Sequence, residues 1–79
     1  MRILGIDPGL QVCGYACIES KSGETTLIEG GVIRTTGSKT IEKRLNQIAE
    51  DIDSLLAKFE PEVVAVEQLY SHYAHPRTA

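Results

Sequence analysis

Two acidic residues stand where chemistry can be done. Asp7 closes the run Arg2-Ile3-Leu4-Gly5-Ile6-Asp7, and Glu67 closes Glu62-Val63-Val64-Ala65-Val66-Glu67. Carboxylates at the ends of two neighbouring strands, about 4.8 Å apart, can share a divalent ion or flank a pair of ions. Mg²⁺ takes hard oxygen ligands in near-octahedral geometry, commonly one or two carboxylates completed by water and substrate phosphate. Two such groups held close without an ion repel, and one of them is pushed toward its protonated form. Each residue alone also has a plainer reading: Asp before Pro8-Gly9 is a common turn opener, and a Glu at a strand end is often merely solvated. Whether the two make a site depends on the fold bringing them together.

The elements that must do so can be read from periodicity. Residues 2–7 form a short apolar run stopped by Pro8-Gly9, the length and punctuation of a buried strand. Val12 to Ser20 follows as a second strand, Gly23 marks a turn, and Thr25 to Thr35 is a third strand with a bend or bulge expected at Gly30-Gly31. Short turns imply an antiparallel meander. The period then changes: Ile41, Leu45, Ile48, Ile52, Leu55, Leu56 and Phe59 follow the spacing of one helical face. Thr40 or Ser38 can cap that helix, and Pro61 marks its end. The run from Glu62 to Glu67 lacks alternation, as expected for a central strand buried on both faces. Counting directions, the fourth strand runs parallel to the first and reaches it by a right-handed crossover. Asp7 and Glu67 then meet at the carboxyl ends of adjacent parallel strands, where open α/β sheets gather their ligands.

Other candidates carry less. Pro8 and Gly9 suit a type II turn after Asp7, leaving backbone close to whatever the carboxylate binds, and Gly14 permits close approach or a bulge. His72 and His75 lie in a polar stretch and read as solvated loop residues. Tyr70 and Tyr73 are placed to stack on unpaired bases or to pack at a rim, stacking being the better reading for Tyr70, three residues beyond Glu67. Cys13 and Cys17, four apart in an extended strand, are too far from each other to pair; they read as reduced, small apolar residues.

The chain as a whole sets bounds. Its 79 residues allow at most one domain, of a size that buries only about 60% of its unfolded surface. The apolar fraction of 42% is that of a globular protein. A net charge of -3 and a pI near 5.2 lack the basic footprint usual for nucleic-acid binding. The N-terminus reads as neither signal peptide nor membrane span, so a cytoplasmic protein with no membrane partner is expected.

Taken together, Gly5-Ile6-Asp7-Pro8-Gly9, Gly14-Tyr15, Arg34-Thr35, Arg44-Leu45 and Val66-Glu67-Gln68 resemble the RuvC family of Holliday-junction resolvases, in register over essentially the whole chain. The resemblance implies an α/β, ribonuclease-H-like fold, with the β1-β2-β3 meander, helix and parallel β4 as its N-terminal part and the next helix starting at the C-terminus. It implies a dimeric, Mg²⁺-dependent endonuclease that nicks opposed strands of four-way junction DNA and works with a branch-migration helicase complex. Two Mg²⁺ ions per active site would perform the hydrolysis. By this resemblance Asp7 contacts both ions, Glu67 ligates one, and Tyr70 is the DNA-binding aromatic that stacks on a base near the opened junction centre.

The family completes its metal site with acidic or histidine residues on a C-terminal helix, and it has further strands, a dimer-forming helix and phosphate-holding Lys and Arg. None of these is in this sequence. The chain is therefore expected to be an N-terminal fragment, marginally stable and unable to cleave junctions alone, with the basic surface carried by the absent part. Two rival readings are an ATP-binding fragment of an actin or sugar-kinase-like protein and a non-catalytic ribonuclease-H-like scaffold. Against the first, the Pro8-Gly9-Leu10-Gln11 turn lacks the hydroxyl residues that hold phosphate there.

Overall fold

The computed structural model describes residues 1–37 and 39–67. Their order is β1 (Arg2–Asp7), β2 (Val12–Lys21), β3 (Glu24–Arg34), α1 (Ile41–Phe59) and β4 (Val63–Val66), and one sheet arranges the strands as β3-β2-β1-β4. This is the ribonuclease-H-like meander followed by helix and returning strand. The turn at Ser22-Gly23, both at positive φ (52° and 79°), links β2 to β3 with Lys21 opposite Glu24, the twist-matched two-residue hairpin that glycine favours. The bend or bulge expected at Gly30-Gly31 lies elsewhere: both glycines pair regularly with Ala16 and Tyr15, and the register slips instead where Cys17 faces Glu29 and Ile18 faces Leu27, leaving Ile28 as the extra residue. A glycine tolerates a bulge but does not require one.

α1 lies against one face of the sheet. Thr40 caps it by accepting a hydrogen bond from the Lys43 amide at 3.2 Å, and Glu60 ends it in the left-handed conformation, its amide donating to the Leu56 carbonyl at 2.9 Å. Leu55 and Phe59 join Leu4, Ile6, Cys13, Cys17 and Ile33 in the core, with Tyr15, Ile48, Ile52 and Leu56 packed around it. Cys13 and Cys17 are free thiols filling that core, as expected. At the far end of the sheet from Asp7, Arg2 ties β1 to the helix by donating from Nη1 to the Phe59 carbonyl at 3.0 Å.

Two expectations about burial fail among the described residues. Ile41 and Leu45 are 60% and 53% exposed, although they lie on the apolar stripe of α1. β4 is parallel to β1 as expected, with Ile3 to Ile6 opposite Val63 to Val66, but it is the edge strand of the described sheet and all four of its residues are exposed. The buried apolar residues of α1, Leu55 and Phe59, lie in its C-terminal half, and Arg44 is its buried residue near the start. Between α1 and β4, Leu45, Ile48, Ile52, Val64, Val66 and Leu10 line an open apolar cleft of about 530 Å³. No described helix is long and apolar enough to cross a membrane.

Candidate metal centre

Side chains alternate across a strand, and the register assigns them to faces. Leu4 and Ile6 point toward α1; Gly5 and Asp7 point away from it. In the parallel β1–β4 ladder Gly5 faces Ala65 and Ile6 faces Val66, so the next position, Glu67, shares with Asp7 the face turned away from α1. The Glu67 amide donates to the Ile6 carbonyl at 3.0 Å, carrying the ladder one residue past the strand. Asp7 is paired on its other side with Gly14 of β2. The structure thus brings Asp7 and Glu67 together, side by side at the carboxyl ends of β1 and β4.

The surrounding floor is small. Gly5, Gly14, Ala16 and Ala65 line an open trough of about 570 Å³ beside the two acids, so these four described residues next to the carboxylates carry at most a methyl group. A Cβ on Gly14 would lie 3.7 Å from the Asp7 Cβ, ordinary contact that would nonetheless raise the floor beside the acid. Gly14 is marked in the sequence by its residue type, whereas Ala16 and Ala65 are marked only by alternation, since Gly5, Asp7, Ala65 and Glu67 occupy same-face positions of their strands.

The electrostatics follow from that adjacency. A hydrogen bond to Asp7, then Asp7's negative charge, then slight desolvation hold the Glu67 carboxyl above the usual carboxylate range. A divalent cation neutralises such a pair, and the donors are hard oxygens of the kind Mg²⁺ takes. Among the described residues no third His, Cys, Asp or Glu joins them; the pair fits the part of a metal site that two carboxylates can supply.

The turn after Asp7 departs from expectation. Gly9 is not at positive φ, so Pro8-Gly9 does not form a type II turn. Gly9 is required for space instead, because a Cβ there would collide with the Val12 carbonyl oxygen. Tyr70, Tyr73, His72 and His75, and the helix expected to start beyond Glu67, lie outside the described residues. Arg44, which enters the sequence pattern only through the family resemblance, is buried at 7% exposure; the signal for that burial was its spacing, three residues after Ile41 and four before Ile48, on the apolar stripe.

The family model described as crossover junction endodeoxyribonuclease RuvC matches residues 3–78. Enzymes of that name from Rhodopirellula baltica and Paenarthrobacter aurescens are 44% and 43% identical over 98% and 90% of this chain, and over 43% and 38% of their own lengths. The solved structure of Thermus thermophilus RuvC in complex with a Holliday junction substrate superposes with a TM-score of 0.80 at 30% identity, covering 91% of this chain and 47% of that one. A Ppx/GppA family member from Aquifex aeolicus, with a TM-score of 0.63 at 22% identity, shares the fold alone. The chain spans less than half the length of the curated relatives it matches. With the family model covering nearly every residue, the chain belongs to the crossover junction endodeoxyribonuclease RuvC family.

Proposed function

We propose that these residues form the N-terminal part of one ribonuclease-H-like nuclease domain, whose whole is a structure-selective endonuclease resolving four-way DNA junctions. The observation that carries this reading is the placement of Asp7 and Glu67 on adjacent parallel strand ends, on the face free of α1. The relatives' name and the junction-bound Thermus thermophilus structure support the substrate class. Family membership also favours this reading over the ATP-binding one.

In this reading Asp7 and Glu67 would hold Mg²⁺, Asp7 as a ligand of both of two ions and Glu67 as a ligand of one. When bound, the metal would supply activation of a water and stabilisation of the leaving oxygen. The chain's own contribution is to fix two anionic ligands on hydrogen-bonded strand ends and to keep the floor beside them low. Tyr70 stacks on a base at the junction centre. The remaining ligands, the dimer interface, the basic surface and the contacts to a branch-migration helicase belong to a longer chain, so the 79 residues alone do not cleave.

The test is a chimera in which this chain replaces the matching N-terminal part of the Thermus thermophilus relative. It is expected to cut a four-way junction in Mg²⁺ and to spare linear duplex. Asp7→Asn and Glu67→Gln should each abolish cutting and leave junction binding intact. Undiminished cutting by Asp7→Asn would sink the assignment.

A further inference from the structure

Arg44 is the one buried charged residue among those described, and no described acid lies within ion-pair distance of it. Its Nε donates to the Thr35 Oγ1 at 3.2 Å, and the Thr35 hydroxyl donates onward to the Leu10 carbonyl at 2.6 Å. The Thr35 amide donates to the next carbonyl of the same loop, Gln11, at 3.0 Å. Its Nη2 is buried without a partner among the described residues.

A hydroxyl has one proton and can turn it several ways. With a charged donor occupying a lone pair of Oγ1, the proton is directed at Leu10, and the accepting oxygen is polarised so that its onward bond strengthens. Thr35 thereby grips two consecutive carbonyls of a four-residue loop, Pro8 to Gln11, that begins immediately after Asp7. A guanidinium cannot shed its charge, and an apolar side chain of similar length would fill this space without the desolvation cost. What Arg44 supplies that packing does not is a directed donor.

We propose that Arg44 is a positioning residue for Asp7, acting through the Thr35 hydroxyl and the Leu10 carbonyl to hold the loop that follows the carboxylate. This rests on the reading of Asp7 as a metal ligand. The helix start and the residue that follows β3 thus brace a carboxylate that lies on the face turned away from α1.

The experiment uses the chimera described above with Arg44→Lys, Thr35→Val and Thr35→Ser. Misplacing a reacting group by about 1 Å costs about a hundredfold in rate. Thr35→Val and Arg44→Lys are expected to lower kcat by about ten- to a hundredfold, with KM for the junction and metal-free junction binding unchanged. Thr35→Ser, which keeps the hydroxyl, should stay close to the parent. Hydrogen exchange gives the readout independent of cleavage: the residue 35 amide, bonded to the Gln11 carbonyl, should exchange faster in Arg44→Lys. Arg44→Lys also serves if Thr35→Val does not fold. Unchanged kcat with only a lowered melting temperature, or failure of Thr35→Ser to restore activity, overturns the proposal. If Asp7→Asn itself cuts normally, the metal-ligand reading falls, while amide exchange still decides whether Arg44 holds the loop.

Discussion

The Glu67 amide reaches the Ile6 carbonyl at 3.0 Å, and that bond turns the Glu67 side chain onto the same face as Asp7. It makes the two acids neighbours, and a hydrogen bond to Asp7, then Asp7's negative charge, hold the Glu67 carboxyl above its ordinary range. A ligand that binds only the folded state stabilises it, and here a divalent cation also removes the repulsion. Adding Mg²⁺ is therefore expected to raise the melting temperature of the chimera, and Asp7→Asn should raise it without metal while abolishing the Mg²⁺ response. A thermal scan with and without Mg²⁺ checks both; an equal metal response in Asp7→Asn would mean the ion stabilises elsewhere.

Gly9 separates space from backbone freedom. Its φ needs no glycine, yet a methyl group there meets the Val12 carbonyl oxygen. Gly9→Ala must displace the loop after Asp7, and overpacking of this kind costs about 1–3 kcal/mol. Gly37→Ala, where a Cβ meets nothing within 4 Å, is the control and should be neutral. Urea unfolding of the two variants distinguishes them; equal stabilities would show that the loop gives way freely.

The parts of this architecture legible in the sequence are those where a local pattern and its tertiary consequence coincide. The α1 stripe, the Thr40 cap and the direction count that puts β4 beside β1 all follow from periodicity and chain reversal, and from them the meeting of Asp7 and Glu67. Where one sequence feature serves several geometries, the reading slipped. Pro8-Gly9 is compatible with turns other than type II, and the slip at Ile28 has no residue-type marker at all. Val63 to Val66 carry the pattern of a covered strand, but composition reports what a residue is suited to and not which neighbours lie over it. Arg44 stands on the stripe by spacing, but a charged residue gives no sign of burial in the sequence, and the resemblance that names it says nothing of its bond to Thr35.

Across the sheet from the two acids, Tyr15 donates to Glu29 at 2.7 Å and Lys58 of α1 donates to the same carboxylate at 2.8 Å, with Gly31 leaving room for the tyrosine ring. The bond from Lys58, then that from Tyr15, hold the Glu29 carboxyl below its ordinary range. A lowered carboxyl binds its proton less tightly folded than unfolded, so its stabilisation is present above the unfolded value and is lost as pH falls through the folded one. Lys58 is raised, chiefly by the same bond, and its share is lost as pH rises through its folded value. Lys58→Met is expected to flatten both limbs of the melting-temperature profile of the chimera. Parallel profiles for Lys58→Met and its parent would show that the pair is screened by solvent.

Leu45 of α1 and the exposed residues of β4 face each other across the apolar cleft, and this predicts a context-dependent response to mutation. Leu4 is fully buried and Phe59 is 4% exposed; truncating either to Ala removes core contacts whatever else is present, at about 2–5 kcal/mol. Leu45 and Val66, 53% and 59% exposed, line the cleft and contribute little within these residues. In a chain of the relatives' full length, an apolar cleft of this kind is where further core would pack. Leu45→Ser is therefore expected to leave the 79-residue chain within about 0.5 kcal/mol of its parent and to destabilise the chimera by about 2 kcal/mol or more. Paired denaturation curves in the two backgrounds give the comparison directly. A loss in the short chain as large as in the chimera would mean that the cleft closes on itself; no loss in either would mean that it stays open.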